Sequence, residues 1–100
     1  MYNARTMKVT IPDDVVFRDV GGEAVLLNLV TGTYFGLDEV GTRIWHLVGE
    51  HGSTEPVIAA LLAEYEVDEP KVRQDVDRLI RQLLDTGLVR AAPSDATPPG

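Results

Sequence analysis

The segment from Leu27 to Trp45, LNLVTGTYFGLDEVGTRIW, constrains the fold more than any other part of the chain. Apolar side chains alternate up to Leu29, Thr31-Gly32 predicts a turn, and residues 33–37 return as a short strand. Asp38 follows at once and can cap a helix. A hairpin that leads directly into helices is typical of a small winged-helix-like domain. Its short third strand would keep a free edge to which an extended peptide could pair.

Strand and helix patterns on either side complete the predicted fold. Val15–Val20 and Glu23–Leu29 flank a Gly21-Gly22 hairpin turn. Alternation around Val9 allows a short extra N-terminal strand. Helices are predicted over residues 38–50, from a cap at Ser53 or Thr54 to about Tyr65, and from about Asp68 to a stop at Gly87. The predicted fold class is α+β and winged-helix-like, with a three-stranded antiparallel sheet packed on three helices.

The chain has 100 residues, of which 44% are hydrophobic and 25% charged, as in a single globular domain. We expect a flexible N-terminus over residues 1–6, the folded domain over residues 7–90 and a disordered Pro-rich tail over residues 91–100. There is no cysteine, and no apolar stretch resembles a signal peptide or a membrane span. The expected location is the cytoplasm.

No group of residues predicts catalysis. His46 and His51 are five positions apart, whereas a pair of metal ligands on one helix face needs a spacing of three or four. The acidic pairs Asp13-Asp14 and Asp38-Glu39 are explained by turn and cap roles, since sequence neighbours point apart. We therefore predict no enzyme activity, no catalytic residue, no metal site and no cofactor.

The third predicted helix raises the alternative of a small winged-helix regulator that binds DNA. Between Glu69 and Asp85 it carries four acidic and four basic side chains, often at i,i+4 spacing as in Asp77 and Arg81. A DNA-reading helix normally presents a basic face, and the formal net charge of −7 also disfavours a polyanion. DNA binding is kept as the second hypothesis.

The apolar side of the third helix is wider than one packing seam requires. Val72, Val76, Leu79 and Leu83 predict one stripe, and Ile80 and Leu84 broaden it. Either all six residues face the core, or one border of the stripe forms a groove with the third strand. In that groove an extended peptide could pair with the strand edge and insert alternate side chains.

Two segments, LNLVTGTYFGLDEVGTRIWHLV and VRQDVDRLIRQLLDTGLV, resemble the PqqD-like proteins. These are small domains that recognise precursor peptides in the biosynthesis of ribosomally made, modified peptides. The resemblance covers about residues 8–90, and GTYFGLDEVGTRIW is similar to the stand-alone recognition proteins of lasso-peptide pathways.

The resemblance implies a non-catalytic function and two partners. In the family, the leader segment of a precursor peptide adds as a strand beside the third strand and against the third helix. In lasso pathways the recognised precursor passes to a separate leader peptidase. Carried onto this sequence, the leader-binding region comprises Thr33, Tyr34, Phe35, Gly36 and Leu37 with Val72, Arg73, Asp75, Val76, Leu79 and Ile80.

Overall fold

The computed structural model describes residues 8–92. The predicted flexible N-terminus and residues 93–100 of the predicted tail lie outside this range. The elements along the chain are β1 (Val9–Thr10), β2 (Val15–Val20), β3 (Glu23–Asn28), β4 (Tyr34–Gly36), α1 (Glu39–His51), α2 (Thr54–Glu64), α3 (Glu69–Asp85) and β5 (Arg90–Ala91).

The main sheet is antiparallel and three-stranded, in the order β2-β3-β4, so β4 is the predicted third strand. Together with the three helices it confirms the predicted α+β, winged-helix-like fold. The extra strand β1 also forms, but it pairs with β5 in a separate two-stranded sheet instead of widening the main one. After α3 the chain thus pairs with β1 at Arg90–Ala91, where the tail was predicted to start.

The β2–β3 hairpin turns at Gly21-Gly22 as predicted. Both glycines have positive φ angles, 63° and 88°, which a two-residue hairpin turn of this kind requires at both central positions. The register pairs Val20 with Glu23 and Val15 with Asn28. The residues of β3 therefore alternate strictly between the helix-packed face and the outer face of the sheet.

Helix α1 begins where the sheet ends. The Asp38 side chain caps it, since its Oδ1 accepts a hydrogen bond from the Gly41 amide at 2.7 Å. A Cβ atom at Gly41 would lie 3.2 Å from that oxygen and 3.3 Å from the Leu37 side chain, so glycine permits the close cap. The helix ends at Gly52, whose left-handed φ of 69° suits glycine.

The core lies between the inner face of the sheet and the three helices, with Trp45 of α1 almost fully enclosed. On α3 the buried stripe consists of Val72, Val76, Ile80 and Leu83, with Leu79 and Leu84 half-buried at its borders. The expectation that Leu79 lies in the central stripe and Ile80 at its border was wrong. The buried stripe is centred nearer to Ile80, and α3 packs against α2 on the side of Arg73. Within residues 8–92, no helix is long and apolar enough to span a bilayer.

Candidate functional site

Strand β4 lies at the edge of the sheet and pairs with β3 on one side only. At its start the Asn28 amide donates to the Thr33 carbonyl at 2.8 Å, and at its end the Leu37 amide donates to the Ala24 carbonyl at 2.8 Å. Residues 33 and 37 therefore direct their backbone groups toward β3. In the described part of the chain, no strand pairs with the opposite edge of β4.

The outward-facing backbone of β4 belongs to Tyr34 and Gly36. In an antiparallel pair, successive residues point their N–H and C=O groups alternately toward and away from the partner strand. Phe35, which is paired with Leu26, faces β3 like residues 33 and 37. The N–H and C=O groups of Tyr34 and Gly36 consequently point to the open side, where an additional strand can accept and donate hydrogen bonds.

The side chains of β4 alternate between two environments. Phe35 and Leu37 turn inward, Leu37 being buried and Phe35 half-buried against the core. Tyr34 points to the outer face and is 74% exposed. At Gly36 an added Cβ atom would meet nothing within 4 Å, so this end of the edge is open to a neighbouring chain. The predicted residues 33–37 thus form one continuous edge.

A buried hydroxyl closes the other end of the β3–β4 ladder. The Ala24 amide would have no partner on β4 because the chain turns away at Leu37, and it donates instead to Thr42 Oγ1 at 2.8 Å. Thr42 is buried in the first turn of α1. This bond holds the start of α1 against the sheet and limits strand pairing to the short β4. The hydrogen bond between Ala24 and Thr42 was not predicted from the sequence.

Asn28 connects the sheet to the far end of α3. Its Nδ2 donates to the Gly87 carbonyl at 2.9 Å, although the two residues are 59 positions apart. Its Oδ1 accepts from the amides of Val30 and Thr31 at 2.9 and 3.1 Å. Asn28 is buried, and all of its side-chain polar atoms are satisfied. Asn28 was not predicted from the sequence, although an Asn before a Thr-Gly turn is a recognisable signal.

Arg73, one of the predicted site residues, faces α2. Its NH1 lies 2.6 Å from Glu55 Oε2, and its Nε donates to Glu69 Oε2 at 2.8 Å. The hydrogen bonds that Arg73 donates to Glu55, and to a smaller extent its bond to Glu69, raise the pKa of its guanidinium well above the ordinary value. The side chain therefore joins α2 to α3.

Leu79 and Asp75 occupy the other border of the α3 stripe. Because a helix turns about 100° per residue, Leu79 lies about 120° around the axis from Arg73. Asp75 is half-buried next to it and bonds Arg78 at 2.7 Å. The remaining predicted residues, Val72, Val76 and Ile80, belong to the core. The predicted α3 residues thus fall into three groups. One is the core stripe, the second is Arg73, which faces α2, and the third is the border on the side away from α2, formed by Asp75 and Leu79.

The basic side chains of α3 are all paired with carboxylates. The distances are 3.5 Å for Lys71 to Asp75, 2.6 Å for Arg73 to Glu55, 2.7 Å for Arg78 to Asp75 and 2.7 Å for Arg81 to Asp77. A helix that neutralises its own cations offers phosphates little attraction. The interleaved charges of the sequence thus form ion pairs in the structure.

The outer face of the sheet carries an apolar row across all three strands. The register aligns Val16, Leu27 and Tyr34, and Val25 lies in the next row. Val16 and Val25 are 44% and 41% exposed. Sequence reasoning did not single out this surface, although the uninterrupted apolar run around Val25 departs from the alternation expected of a solvated face.

In the described residues, neither histidine belongs to a cluster of potential metal ligands. His46 Nε2 lies 3.3 Å from Asp19 Oδ2, and its ring meets Phe17 edge-on at 5.3 Å between centroids. Among residues 8–92, no three His, Cys, Asp or Glu side chains are grouped so that they could hold a metal ion. Through its contacts with Asp19 and Phe17, His46 links α1 to β2.

Comparison with known proteins agrees with this geometry. A family model described as coenzyme PQQ synthesis protein D (PqqD) matches residues 23–89. The solved structure of TbiB1 in complex with the TbiA(β) leader peptide has 44% sequence identity and a TM-score of 0.78, covering 85% of this chain and 99% of that one.

A second structure shares the fold at a lower level of identity. Lasso peptide synthetase B1, complexed with the leader peptide, is 23% identical with a TM-score of 0.73, covering 86% of this chain and 99% of that one. No curated protein matches the sequence significantly. The family model spans more than half of the chain and confirms the resemblance of the two sequence segments. This chain belongs to the PqqD family.

Proposed function

We propose that this protein is a non-catalytic recognition element that binds the leader segment of a ribosomally made precursor peptide. The leader adds as a strand along the outer edge of β4. The observation that carries the proposal is the open edge at Tyr34 and Gly36 in a fold shared with TbiB1, a 44% identical protein solved with a leader peptide.

Backbone pairing alone gives too little affinity. The N–H and C=O groups of Tyr34 and Gly36 offer four hydrogen bonds, each with a net contribution of about 0.5–1.5 kcal/mol. Ordering a flexible leader costs roughly 2–5 kcal/mol, so the two terms nearly cancel. Micromolar binding requires about −8 kcal/mol in total. Apolar anchors must supply most of the difference, as leader side chains bury surface against the domain.

We propose that these anchors lie between Phe35 of β4 and Leu79 of α3. Both side chains are half-buried against the same core, so each offers apolar surface that a leader residue can cover. Asp75 provides a polar margin beside Leu79. In the proposed site Thr33–Leu37 form the docking strand, Val72, Val76 and Ile80 support the groove from within, and Arg73 fixes α3 to α2.

The partner enzyme in this proposal is a leader peptidase, and the location is the cytoplasm. Its docking surface is the outer face of the sheet, defined by Val16, Val25, Leu27 and Tyr34. That face is apolar and exposed and adjoins the edge where the leader binds, so the enzyme could contact the loaded leader directly. Tethering raises the effective concentration of the substrate at the enzyme. For a short flexible link this concentration reaches about the millimolar range.

DNA binding has no observation in its favour. The basic side chains of α3 are paired with carboxylates, and the chain has a formal net charge of −7. A binding assay separates the two modes. We would measure fluorescence anisotropy with two labelled leader peptides, one encoded by the precursor gene nearest to this chain's gene and the other from TbiA(β). Leader binding should be saturable and should change little between low and high salt. Binding only to a DNA duplex, with a steep loss in salt, would overturn the proposal.

The peptidase step needs its own test. Adding this protein to the partner peptidase should accelerate precursor cleavage, chiefly at low precursor concentration, while the protein alone leaves the precursor intact. Val16→Glu on the outer face should reduce the acceleration without weakening leader binding. Val67→Glu is the matched control, since Val67 has the same residue type and similar exposure, 46% against 44%, but lies between α2 and α3. Equal loss in both variants would place the enzyme elsewhere.

A further inference from the structure

Asn28 determines the position of β4 through the turn that precedes it. Its backbone amide donates to the Thr33 carbonyl at 2.8 Å, and its backbone carbonyl accepts from the Gly32 amide at 2.8 Å. Its side-chain oxygen holds the two intervening amides, those of Val30 and Thr31. Asn28 therefore bonds four backbone groups of the β3–β4 turn, including the carbonyl of Thr33, the first residue of the docking strand.

The same side chain also bonds the chain just after the end of α3. Gly87 follows the helix with a left-handed φ of 76°. The last helical carbonyls are occupied by the amides that follow them, such as Leu83 by Leu88, whereas the Gly87 carbonyl accepts from Asn28. The Gly87 carbonyl lies beyond the helix and has no helical partner, and the Asn28 amide group supplies its donor.

We propose that Asn28 is a positioning residue for the leader, and that it sets the spacing between the β4 edge and the α3 border. The inference rests on the proposed function, because the groove it adjusts is the leader groove. The two walls of that groove come from distant parts of the sequence. The Asn28 side chain bonds the turn that leads into one wall and the residue that follows the helix of the other, so it ties the two walls together at one end.

Leu79 lies about 9 Å along α3 from Asp85, the last residue of the helix, at the usual helical rise. A small rotation of the helix about its C-terminal tie would therefore move the Leu79 border relative to Phe35. A leader strand must meet the β4 backbone and the apolar border at once, so such a movement should weaken binding while the domain remains folded.

Two substitutions separate the tie to α3 from the turn. Asn28→Asp keeps an oxygen for the amides of Val30 and Thr31 but replaces the donor to Gly87 with a carboxylate. Asn28→Ser is neutral, and its hydroxyl can serve the turn amides but is too short to reach the Gly87 carbonyl. Gln74→Glu on the exposed face of α3 is the control for the change of amide to carboxylate.

The experiment measures leader affinity by anisotropy, with the peptides used for the wild type, at a temperature where urea melts show each variant fully folded. We expect the leader Kd to rise about tenfold for Asn28→Asp and about fivefold for Asn28→Ser, with Gln74→Glu unchanged. Amide exchange at Tyr34 and Gly36 in the presence of leader should speed up in both Asn28 variants. A residue that only stabilised the fold would lower the melting temperature without changing the Kd of the folded protein.

Two results would overturn the assignment. The first is wild-type affinity in both folded variants, and the second is loss of folding in both, which would make Asn28 a residue of the fold alone. If Asn28→Asp fails to fold, the neutral Asn28→Ser decides. Absence of leader binding by the wild type is a different result, because it contradicts the proposed function itself.

Discussion

The two edges of the main sheet differ in how they meet solvent. β2 is six residues long, and it carries Arg18 and Asp19, the latter paired with His46 at 3.3 Å. β4 has three residues, and the segment 29–37 that contains it has no charged side chain. Charges on an edge strand discourage pairing with another chain. One edge is thus protected, and the other is left available.

A single row of the sheet makes the contrast concrete. Phe17 of β2 and Phe35 of β4 both pair with Leu26, one from each side. Phe17 is 47% exposed and meets Trp45 and His46 of α1 edge-on. Phe35 packs against the core beside an edge with which no described strand pairs. The same residue type in the same row meets two α1 rings at the β2 edge and packs against the core at the β4 edge.

The largest expected effect is loss of leader binding in Gly36→Pro. Proline removes an outward N–H that the sheet does not use, and there is room for its ring, so the fold should survive. The leader loses a hydrogen bond and meets a ring at the edge, and we expect its Kd to rise about 100-fold. Isothermal titration calorimetry measures this directly.

The matched control is Asp19→Pro on the other edge. The Leu29 amide bonds the Asp14 carbonyl, so alternation along β2 points the Asp19 amide away from β3. Asp19→Pro should leave the leader Kd within about twofold of the wild-type value. A twofold change in Kd is smaller than the change expected from the loss of one hydrogen bond to the leader. Strong loss in Asp19→Pro with normal binding by Gly36→Pro would reverse the assignment of the edges.

Phe35→Ala and Phe17→Ala compare the two ends of the shared row. Each removes an aromatic ring that is partly buried, and both should cost about 1–3 kcal/mol of folding free energy, since neither ring is fully enclosed. Only Phe35→Ala should also weaken leader binding, by about tenfold, because it removes apolar surface that the leader covers. Urea melts and calorimetry on both variants supply the two numbers. Equal effects on affinity would mean that the row does not distinguish the edges.

A smaller effect separates the two borders of α3. Asp75→Asn should change leader affinity a few-fold while the melting temperature stays nearly constant. Arg73→Gln should instead lower the melting temperature by about 4 °C, since it releases α2 from α3, and leave affinity unchanged. Thermal melts followed by anisotropy test the pair. Weakened leader binding in Arg73→Gln alone would move the groove to the α2 side of the helix.

The smallest effect concerns Glu64, which should influence neither edge. Arg43 Nε donates to Glu64 Oε1 at 2.9 Å, and this bond lowers the pKa of the Glu64 carboxyl from its ordinary 4.5. Because the folded pKa lies below the unfolded one, the stabilisation is fully present above about pH 4.5 and is lost as the pH falls through the folded value. Glu64→Gln should slightly flatten the acid side of a pH-stability curve. Leader affinity at neutral pH should not change.

Sequence patterns predicted the elements well because their signals are local. The Gly21-Gly22 turn, the Asp38 cap and the third strand each depend on a few adjacent residues, and all three form. The fold class was confirmed for the same reason, since short hairpins and successive helix patterns leave few packing arrangements. The resemblance to the PqqD family also came from these segments.

The site depends on contacts that no local pattern contains. Asn28 and Gly87 are 59 positions apart, and Arg73 and Glu55 are 18 apart, so only the folded chain reveals either pair. The predicted centre of the α3 stripe was wrong at Ile80, because helical periodicity does not say on which side α2 packs. Periodicity locates an apolar face but not the neighbour to which each border turns.

The central claim is that a leader peptide pairs with the open edge of β4. Hydrogen exchange followed by NMR on the free and leader-bound protein tests it most directly. The amides of Tyr34 and Gly36 should become protected on binding, while those of Phe17 and Asp19, which point outward at the opposite edge, should exchange as in the free protein. Protection at Phe17 and Asp19 without protection at Tyr34 and Gly36 would contradict the claim.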